Sequence, residues 1–307
     1  MEIGFVGLGR MGLNMTIRLQ RAGHRVAAWD RNAAPVAEAK SHGATGAASL
    51  EALVDSLAVP RAVWAMIPAG KPVDDLLDAL STRLESGDLV VDGGNSNYKD
   101  SKRRCERMKA AGVDYVDAGV SGGIWGLENG YCMMLGGEPR AIARLKPALD
   151  SLAPRDGWRH VGRSGAGHFS KMVHNGVEYG LMQSYAEGFE LLRASDYEYD
   201  LEQIAHLWNQ GSVIRSWLLE LAERAFDNDP HLDGIRGWVE DSGEGRWTVE
   251  ESLQLSVPAP VLALSLMMRY QSRLPDAFGN KVIAALRNEF GGHAVRAEEQ
   301  PQPSIAS

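Results

Sequence analysis

The stretch Gly4-Phe5-Val6-Gly7-Leu8-Gly9-Arg10-Met11-Gly12 decides the fold. The apolar run from Glu2 to Gly7 predicts a strand, and the pattern from Met11 to Arg21 predicts a helix directly after it. In the G-x-G-x-x-G turn between them, the first glycine makes the tight turn, the second lets a pyrophosphate approach the backbone, and the third lets helix and strand pack closely. The helix N-terminus then faces the phosphates. The stretch therefore predicts a dinucleotide-binding unit, although a glycine turn that binds nothing is the simpler alternative.

Asp30 favours dinucleotide binding, because it ends a second β-rich run, Arg25 to Trp29, about 20 residues beyond the glycines. A carboxylate at this place accepts hydrogen bonds from the ribose hydroxyls and repels a 2′-phosphate, which favours NAD. Arg31 could instead stack on adenine or hold a 2′-phosphate, so NADP stays possible. We expect the cofactor to contact Gly7, Leu8, Gly9, Arg10, Met11, Gly12, Asp30, Arg31, Asn32, Ile67 and Asn95.

The strand, glycine turn and helix recur through the first two thirds of the chain, which predicts a doubly wound parallel sheet of the Rossmann type with helices on both faces. Ligands of open α/β sheets bind at the carboxyl ends of the strands. Asn95 and Ser121 follow two such strands, so we expect them at the same crevice as the dinucleotide. The further predicted strands are Ala62–Ile67, Leu89–Val91, Tyr115–Val120, Tyr131–Leu135 and Trp158–Val161, with a helix over Pro139–Leu152.

The pattern changes near Gly165, after which apolar residues recur at helical spacing. We predict a dinucleotide-binding domain over residues 1–165 and an all-α domain for substrate binding and dimerisation over residues 166–296. Residues 297–307 are polar with two prolines, which predicts a disordered tail. The predicted helices of the second domain are Phe169–Arg193, Leu201–Asn209, Ser216–Phe226, Thr248–Ser256, Pro260–Tyr270 and Ala277–Glu289.

The composition is that of an ordinary globular protein and excludes several classes. With 32 Lys and Arg against 40 Asp and Glu, the formal charge of −8 argues against a nucleic-acid partner. Cys105 and Cys132 form no C-x-x-C motif, which argues against a disulfide framework or a cysteine zinc site. The N-terminus lacks a basic segment, and the longest apolar stretch, Val257 to Met268, is too short for a bilayer. We expect a cytoplasmic protein without a membrane partner.

A second group of polar residues interrupts a helix otherwise suited to the core. Lys171, His174, Asn175 and Glu178 share one helix face. A solvated stripe would explain Lys171 and Glu178, but it suits His174 and Asn175 beside glycines less well. A lysine and a glutamate that face one cavity form an acid/base pair, if burial shifts both towards their neutral forms.

Together these motifs resemble the short-chain 6-phosphogluconate dehydrogenases of the β-hydroxyacid dehydrogenase superfamily, over nearly the whole chain. Several segments in the family's order make the resemblance specific. They are residues 4–12, Asp92-Gly93-Gly94-Asn95-Ser96, Val120-Ser121-Gly122-Gly123-Ile124-Trp125-Gly126, Lys171-Met172-Val173-His174-Asn175-Gly176, Gly243-Glu244-Gly245-Arg246-Trp247-Thr248 and Arg287-Asn288-Glu289-Phe290-Gly291-Gly292-His293.

The resemblance implies oxidative decarboxylation of 6-phosphogluconate to ribulose 5-phosphate and CO2 without a metal ion, because a lysine serves as the electrophile. It assigns Lys171 as the base for the C3 hydroxyl and Glu178 as the acid that protonates C1. Either Arg269 or Arg273 would supply a further cation. The substrate contacts that it implies are Asn95, Ser121, Gly122, Gly123, His174, Asn175 and Tyr179, with Arg246, Thr248, Arg287 and His293 for the phosphate.

Two other functions stay open at this point. Related dehydrogenases of 3-hydroxyisobutyrate-like acids share the glycine turn and Lys171, but usually carry Asn-Asn where this chain has His174-Asn175. A non-catalytic dinucleotide-binding protein is less consistent with an intact Lys171 and Glu178.

Long-chain family members carry an internal duplication of the helical domain, and this chain has room for one copy. The resemblance therefore implies a homodimer, or a tetramer of dimers, whose sites are completed by the neighbouring subunit.

Overall fold

The computed structural model describes residues 1–296, so the predicted tail over residues 297–307 lies outside the described residues. Within the described part, the strands form one eight-stranded sheet in the order β3-β2-β1-β4-β5-β6-β7-β8. The order runs outward from β1 in both directions, which places a ligand crevice at the carboxyl ends of β1 and β4. The strands are β1 (Glu2–Val6), β2 (Arg25–Trp29), β3 (Thr45–Gly46), β4 (Ala62–Ala65), β5 (Leu89–Asp92), β6 (Asp114–Ser121), β7 (Cys132–Gly136) and β8 (Trp158–Gly162).

Helices cover both faces of this sheet, and after β8 the described chain forms only helices and turns. The predicted fold class, a Rossmann-type sheet followed by an all-α region, is confirmed. They are α1 (Arg10–Arg21), α2 (Ala33–Ser41), α3 (Leu50–Asp55), α4 (Lys71–Ser81), α5 (Tyr98–Ala110), α6 (Gly126–Asn129), α7 (Pro139–Leu152), α8 (Ala166–Ala194), α9 (Leu201–Asn209), α10 (Trp217–Asn228), α11 (Glu244–Gln254), α12 (Pro260–Gln271) and α13 (Phe278–Gly291).

Alternate residues of each central strand enter different apolar clusters, because successive side chains of a strand point to opposite faces. On β4, Trp64 joins a cluster with α1 and α7, whereas Val63 joins one with α3, α4 and α5. Both side chains are fully buried. The near-continuous apolar runs of these strands follow from this burial on both faces.

One strand departs from the parallel arrangement: β7 pairs antiparallel with β6, with Ser121 opposite Cys132. The segment between these strands is short and holds only a single turn and α6. A parallel crossover needs about a dozen residues or more, so the chain returns in the opposite direction. The two-residue strand β3 carries no detectable pattern and was not predicted.

Contacts divide the described chain into two compact units, one formed by residues 1–180 and 242–262 and the other by residues 181–241 and 263–296. The core of the second unit forms where α9 and α10 pack on the later part of α8. Phe189 stacks on Trp208 at 5.6 Å between ring centroids and meets Phe226 edge-on at 5.0 Å. The predicted division at residue 165 instead marks the point where the strands end, and as a domain boundary it stays a prediction.

Asp117 fixes the start of α8 on the sheet. Its side chain is fully buried on β6 and accepts hydrogen bonds from the backbone N–H groups of Gly165 (2.6 Å) and His168 (2.9 Å). These N–H groups belong to the first turn, where a helix lacks internal acceptors and carries partial positive charge. A Cβ on Gly167 would overlap the Asp117 carbonyl oxygen, so the helix approaches the strand closely. Lys171, one turn later, therefore has a fixed position over β6.

In the described part of the chain, no helix combines the length and the apolar character needed to cross a bilayer.

Candidate active site

The glycine turn has the geometry that a dinucleotide requires. Gly7 has φ +89°, a conformation that strains other residues. A Cβ on Gly12 would overlap the Gly7 carbonyl oxygen, so α1 and β1 pack at their closest approach there. Gly9 has open space where a Cβ would lie, and it is exposed at the start of α1. The turn thus leaves the helix N-terminus accessible, and these residues fit a bound pyrophosphate.

Asp30 connects this turn to the start of α2. Its Oδ2 accepts a hydrogen bond from the Leu8 N–H at 2.7 Å, and its Oδ1 accepts one from the Asn32 N–H at 2.8 Å. Asp30 also lines a cleft of about 680 Å³. Arg31 and Lys40 line the same cleft, so both a ribose acceptor and two cations are present.

A continuous series of contacts leads from the glycine turn to Lys171. A Cβ on Gly7 would lie 2.6 Å from Ile67 Cγ2, and one on Gly94 would overlap the Ile67 carbonyl oxygen. The next residue, Asn95, accepts a hydrogen bond from the Val120 N–H at 3.2 Å. Gly119, beside Val120, lies directly against the Lys171 side chain. The structure therefore brings these predicted cofactor and substrate residues together at the carboxyl edge of the sheet.

Asn95 adopts φ +52°, and a buried carboxylate holds its turn in place. Asp92 accepts hydrogen bonds from the Gly94 N–H (3.1 Å) and the Ser96 hydroxyl (2.8 Å). Arg104, which is fully buried, donates to Asp92 at 3.2 Å and to the Gly70 carbonyl oxygen at 2.9 Å. Asp92 and Arg104 thus connect the Asn95 turn to the loop after β4, and neither is among the predicted site residues.

Lys171 is the buried centre of the polar helix face. Its side chain lies against β6 and is 5% exposed. Its Nζ donates a hydrogen bond to Asn175 Oδ1 at 2.7 Å and lies 3.5 Å from His174 Nδ1. Burial lowers the pKa of Lys171, because the charged ammonium loses solvation, and the nearby acidic groups Glu244 and Glu178 oppose this shift. Such a lysine can take up a proton from a bound hydroxyl group.

Glu178 lies on the same face but is more exposed than Lys171. Its carboxylate is 4.0 Å from His174 Nδ1, and the two side chains are 37% and 38% exposed. The expectation of a buried lysine and glutamate therefore holds for Lys171 alone among the predicted pair. The half-exposed position leaves Glu178 able to exchange protons with solvent.

The buried carboxylate beside Lys171 belongs to Glu244, which lies in the motif Gly243–Thr248 but is not among the predicted site residues. Glu244 is 9% exposed and accepts a hydrogen bond from Asn175 Nδ2. Burial raises the pKa of Glu244, and the charge of Lys171 opposes this shift. An acidic residue in the first turn of a helix has an ordinary explanation in the helix dipole, so no local pattern distinguishes Glu244 as a site residue.

The start of α11 docks on α8 through two further site residues. Tyr179 Oη accepts a hydrogen bond from the Ser242 N–H at 3.0 Å. Thr248 is buried, and its hydroxyl lies 2.7 Å from the Met172 carbonyl oxygen, so it joins the two helices. Its contact with a substrate phosphate stays a prediction, as does that of the exposed Arg246.

The glycine pair Gly291-Gly292 ends the helix that carries Arg287 and turns the chain back. α13 ends at Gly291, and Gly292 follows with φ +62°. Asn288 Nδ2 then donates to the His293 carbonyl oxygen at 2.9 Å, and the His293 N–H lies 3.5 Å from the Arg287 carbonyl oxygen. Arg287 and His293 are both exposed.

Arg269 and Arg273 both bind the segment before Ser242. Arg269 donates to the Glu240 carbonyl oxygen at 2.8 Å, and Arg273 pairs with Asp241 at 2.9 Å. The remaining predicted substrate residues, Ser121, Gly122 and Gly123, form the turn that ends β6. Among residues 1–296, no group of three or more His, Cys, Asp and Glu side chains is arranged to hold a metal ion.

Two family models together match nearly the whole chain. The family model described as "NAD binding domain of 6-phosphogluconate dehydrogenase" matches residues 2–162, and "6-phosphogluconate dehydrogenase, C-terminal domain" matches residues 167–282. The chain belongs to the 6-phosphogluconate dehydrogenase family. The resemblance drawn from the motifs is thereby confirmed.

Relatives of similar length extend the match. The chain is 48% identical to a "Putative 6-phosphogluconate dehydrogenase YqeC" of Bacillus subtilis, over 96% of this chain and 99% of that protein. It is 46% identical to "6-phosphogluconate dehydrogenase, NAD(+)-dependent, decarboxylating" of Haloferax volcanii, over 97% of this chain and 100% of that protein. The chain covers only 59% of a longer 6-phosphogluconate dehydrogenase of Schizosaccharomyces pombe, which is 36% identical.

Solved structures show the same architecture. The 6-phosphogluconate dehydrogenase of Plasmodium falciparum superposes with a TM-score of 0.82 at 28% identity, over 98% of this chain and 67% of that chain. The 3-hydroxyisobutyrate dehydrogenase of Salmonella typhimurium gives a TM-score of 0.72 at 23% identity, over 88% of this chain and 93% of that chain. The second likeness concerns the fold alone.

Proposed function

We propose that this 6-phosphogluconate dehydrogenase family member oxidises and decarboxylates 6-phosphogluconate to ribulose 5-phosphate and CO2, with NAD as the hydride acceptor. The observation that carries the proposal is the buried Lys171, whose pKa burial lowers and which lies at the end of the contact series from the dinucleotide turn. The proposal is supported by relatives named for this activity that match nearly end to end.

In the first step, neutral Lys171 removes the proton from the C3 hydroxyl of the substrate. Bound NAD supplies the acceptor for the C3 hydride. Asn175 holds one N–H of Lys171 through its Oδ1, which directs the lysine lone pair towards the hydroxyl. Asn95, Ser121, Gly122 and Gly123 line the substrate position at the ends of β5 and β6.

The product of the first step is a 3-keto acid. In the second step, its bond between C1 and C2 breaks as CO2 leaves. Lys171, now an ammonium, donates to the C3 oxygen and stabilises the enolate that develops there. In the third step, Glu178 delivers a proton to the former C2, which becomes C1 of ribulose 5-phosphate. Its half-exposed position lets it recover a proton from solvent afterwards.

We further propose a homodimer, because α13 presents an apolar surface that the single chain leaves exposed. Val282, Ile283 and Leu286 on this helix are 39%, 59% and 57% exposed. Apolar helix faces are normally buried against another element. A second copy of the chain would cover this face and bring Arg287 and His293 to the substrate phosphate of its neighbour.

We also propose a cytoplasmic location. Both cysteines are free, which is consistent with a reducing compartment.

Substrate choice tests the proposed function directly. We expect reduced-nicotinamide absorbance to grow with 6-phosphogluconate and not with 3-hydroxyisobutyrate, at a turnover of roughly 1 per second or more. Turnover of 3-hydroxyisobutyrate alone would instead establish the second candidate function, which the shared fold leaves open. No turnover with either acid and either cofactor, while NAD still binds, would favour a non-catalytic dinucleotide-binding protein.

Cofactor preference tests the position of Asp30. We expect a higher kcat/KM with NAD than with NADP, because the carboxylate repels a 2′-phosphate. Asp30→Ser should move the preference towards NADP, since Arg31 and Lys40 then meet the phosphate without a competing charge. Glu51→Gln, at another acidic residue of the same cleft, is the matched control. A wild-type preference for NADP of about tenfold, or about 1.4 kcal/mol, would contradict this interpretation.

A further inference from the structure

Glu244 is a buried acid that the proposed mechanism does not use. It is the first residue of α11 and is 9% exposed. A buried carboxylate is costly unless hydrogen bonds compensate the lost solvation. Its partners are Asn175 Nδ2 and the Ser242 hydroxyl, the latter at 3.3 Å. Glu244 therefore reaches Lys171 through a single intervening side chain, Asn175.

Close packing between α11 and α8 holds Glu244 in this position. A Cβ on Gly176 would lie 2.6 Å from Thr248 Cγ2, and one on Gly245 would overlap the Tyr179 ring. Glycine at both places lets the helices approach until the Glu244 carboxylate meets the Asn175 amide. The contact thus follows from the packing of two helices and not from the chance position of a surface side chain.

The two ends of the Asn175 amide have opposite hydrogen-bonding character. The carbonyl end can only accept, and the NH₂ end can only donate. Lys171 offers donors to this amide, whereas an ionised Glu244 offers only acceptors. One orientation satisfies both neighbours, with Oδ1 towards Lys171 and Nδ2 towards Glu244, and this orientation is the observed one.

We propose that Glu244 is a positioning residue for Lys171. It fixes the Asn175 amide in the orientation that presents Oδ1 to the lysine Nζ, and its negative charge stabilises the ammonium that forms after the hydroxyl proton is transferred. The inference rests on the proposed role of Lys171 as the base. It adds a third member to the pair of Lys171 and Glu178 that the resemblance implies.

The electrostatic balance at Lys171 supports this role. Burial lowers the pKa of Lys171, and the nearby acidic groups Glu244, Glu178 and Cys132 act in the opposite direction, with the effect of Glu244 the largest of the three. His174 also faces the ammonium, at 3.5 Å. Because kcat/KM requires neutral Lys171, it rises with pH through the pKa of this group. Removal of the Glu244 charge should move that rise to lower pH.

The experiment measures the protonation of Lys171 without any substrate. The Cε resonance of lysine is followed by carbon NMR against pH in wild type, Glu244→Gln and Glu251→Gln, and Lys171→Met assigns the resonance. We expect Glu244→Gln to lower the pKa of Lys171 by about one unit or more, the usual effect of one close charge. The acid limb of kcat/KM should shift in the same direction.

Glu251→Gln is the matched control, because Glu251 is an equally buried acid on α11 (8% exposed) that pairs with Lys99 at 3.4 Å. Glu251→Gln should leave the pKa of Lys171 within about 0.3 unit of the wild-type value, since the Glu251 charge pairs with Lys99 and not with Lys171. Glu244→Asp keeps the charge but withdraws the acceptor from Asn175. This variant should retain most of the wild-type pKa and lose kcat.

A folded Glu244→Gln protein whose Lys171 titrates as in wild type would overturn the inference. If that variant does not fold, Glu244→Asp decides, and unchanged kcat in Glu244→Asp would overturn the proposed positioning. The titration also separates this inference from the proposed function. A wild-type protein that does not turn over 6-phosphogluconate would refute the proposed function. A lower pKa of Lys171 in Glu244→Gln would still establish the effect of the Glu244 charge.

Discussion

Lys171→Met should retain the fold and dinucleotide binding but lose roughly 10²–10⁴-fold in kcat with 6-phosphogluconate, the usual loss for a removed acid/base group. Methionine keeps a side chain of similar length packed against Gly119 but cannot accept the hydroxyl proton. The same residue would stabilise the enolate in the second step, so both chemical steps should fail together. Steady-state kinetics and NAD binding by fluorescence measure the two properties separately.

Lys99→Met is the matched control for this variant. Lys99 is an exposed lysine on α5 that bonds Gln254 at 2.7 Å, and its loss should leave kcat nearly unchanged. If Lys171→Met kept more than about a tenth of the wild-type rate, Lys171 would not be the base. His174, 3.5 Å away, would then be the next residue to examine.

Arg287→Ala should raise the KM for 6-phosphogluconate roughly 10–100-fold, because a charge-assisted, two-pronged hydrogen bond to the phosphate is lost. KM for NAD should not change. Arg224→Ala, which removes an exposed arginine paired with Glu220 on α10, is the control and should leave both constants near wild type. An unchanged substrate KM in Arg287→Ala would remove this arginine from the phosphate site.

The same variant tests whether the sites are shared between subunits. Mixing Arg287→Ala with Lys171→Met should restore up to roughly a quarter of wild-type activity, because half of the dimers are mixed and one of their two sites is intact. Each variant alone should be nearly inactive at low substrate concentration. If subunit exchange is demonstrated and no activity returns, Arg287 acts within its own chain or not at all.

The elements of this fold could be predicted because their patterns are local. The glycine turn, the apolar strands and the helical spacing after Gly165 each follow from neighbouring residues, and the strands and long helices begin and end near the predicted positions. The direction of β7 is harder to predict from the sequence, since it depends on whether the segment after Gly122 is long enough for a parallel crossover. The two-residue strand β3 depends on its neighbour β2 alone.

The candidate site likewise contains residues that a local pattern predicts and residues that only the tertiary packing brings together. Lys171 and Asn175 share one helix, so their spacing suffices to bring them together. Glu244 lies 69 residues further along the chain from Asn175, and only the packing of α11 on α8 brings the two together. Asp117, likewise, acts on α8 from a strand, and no local pattern identifies it as the residue that fixes this helix.

The release of CO2 from 6-phosphogluconate labelled at C1, measured together with NADH in the same reaction, tests most directly whether the enzyme couples oxidation to decarboxylation. We expect one labelled CO2 for each NADH formed, with ribulose 5-phosphate as the remaining product, and formation of both products slowed roughly 10²–10⁴-fold in Lys171→Met. NADH formed without labelled CO2 would contradict this mechanism, because it would mean that the enzyme oxidises the sugar acid without decarboxylating it.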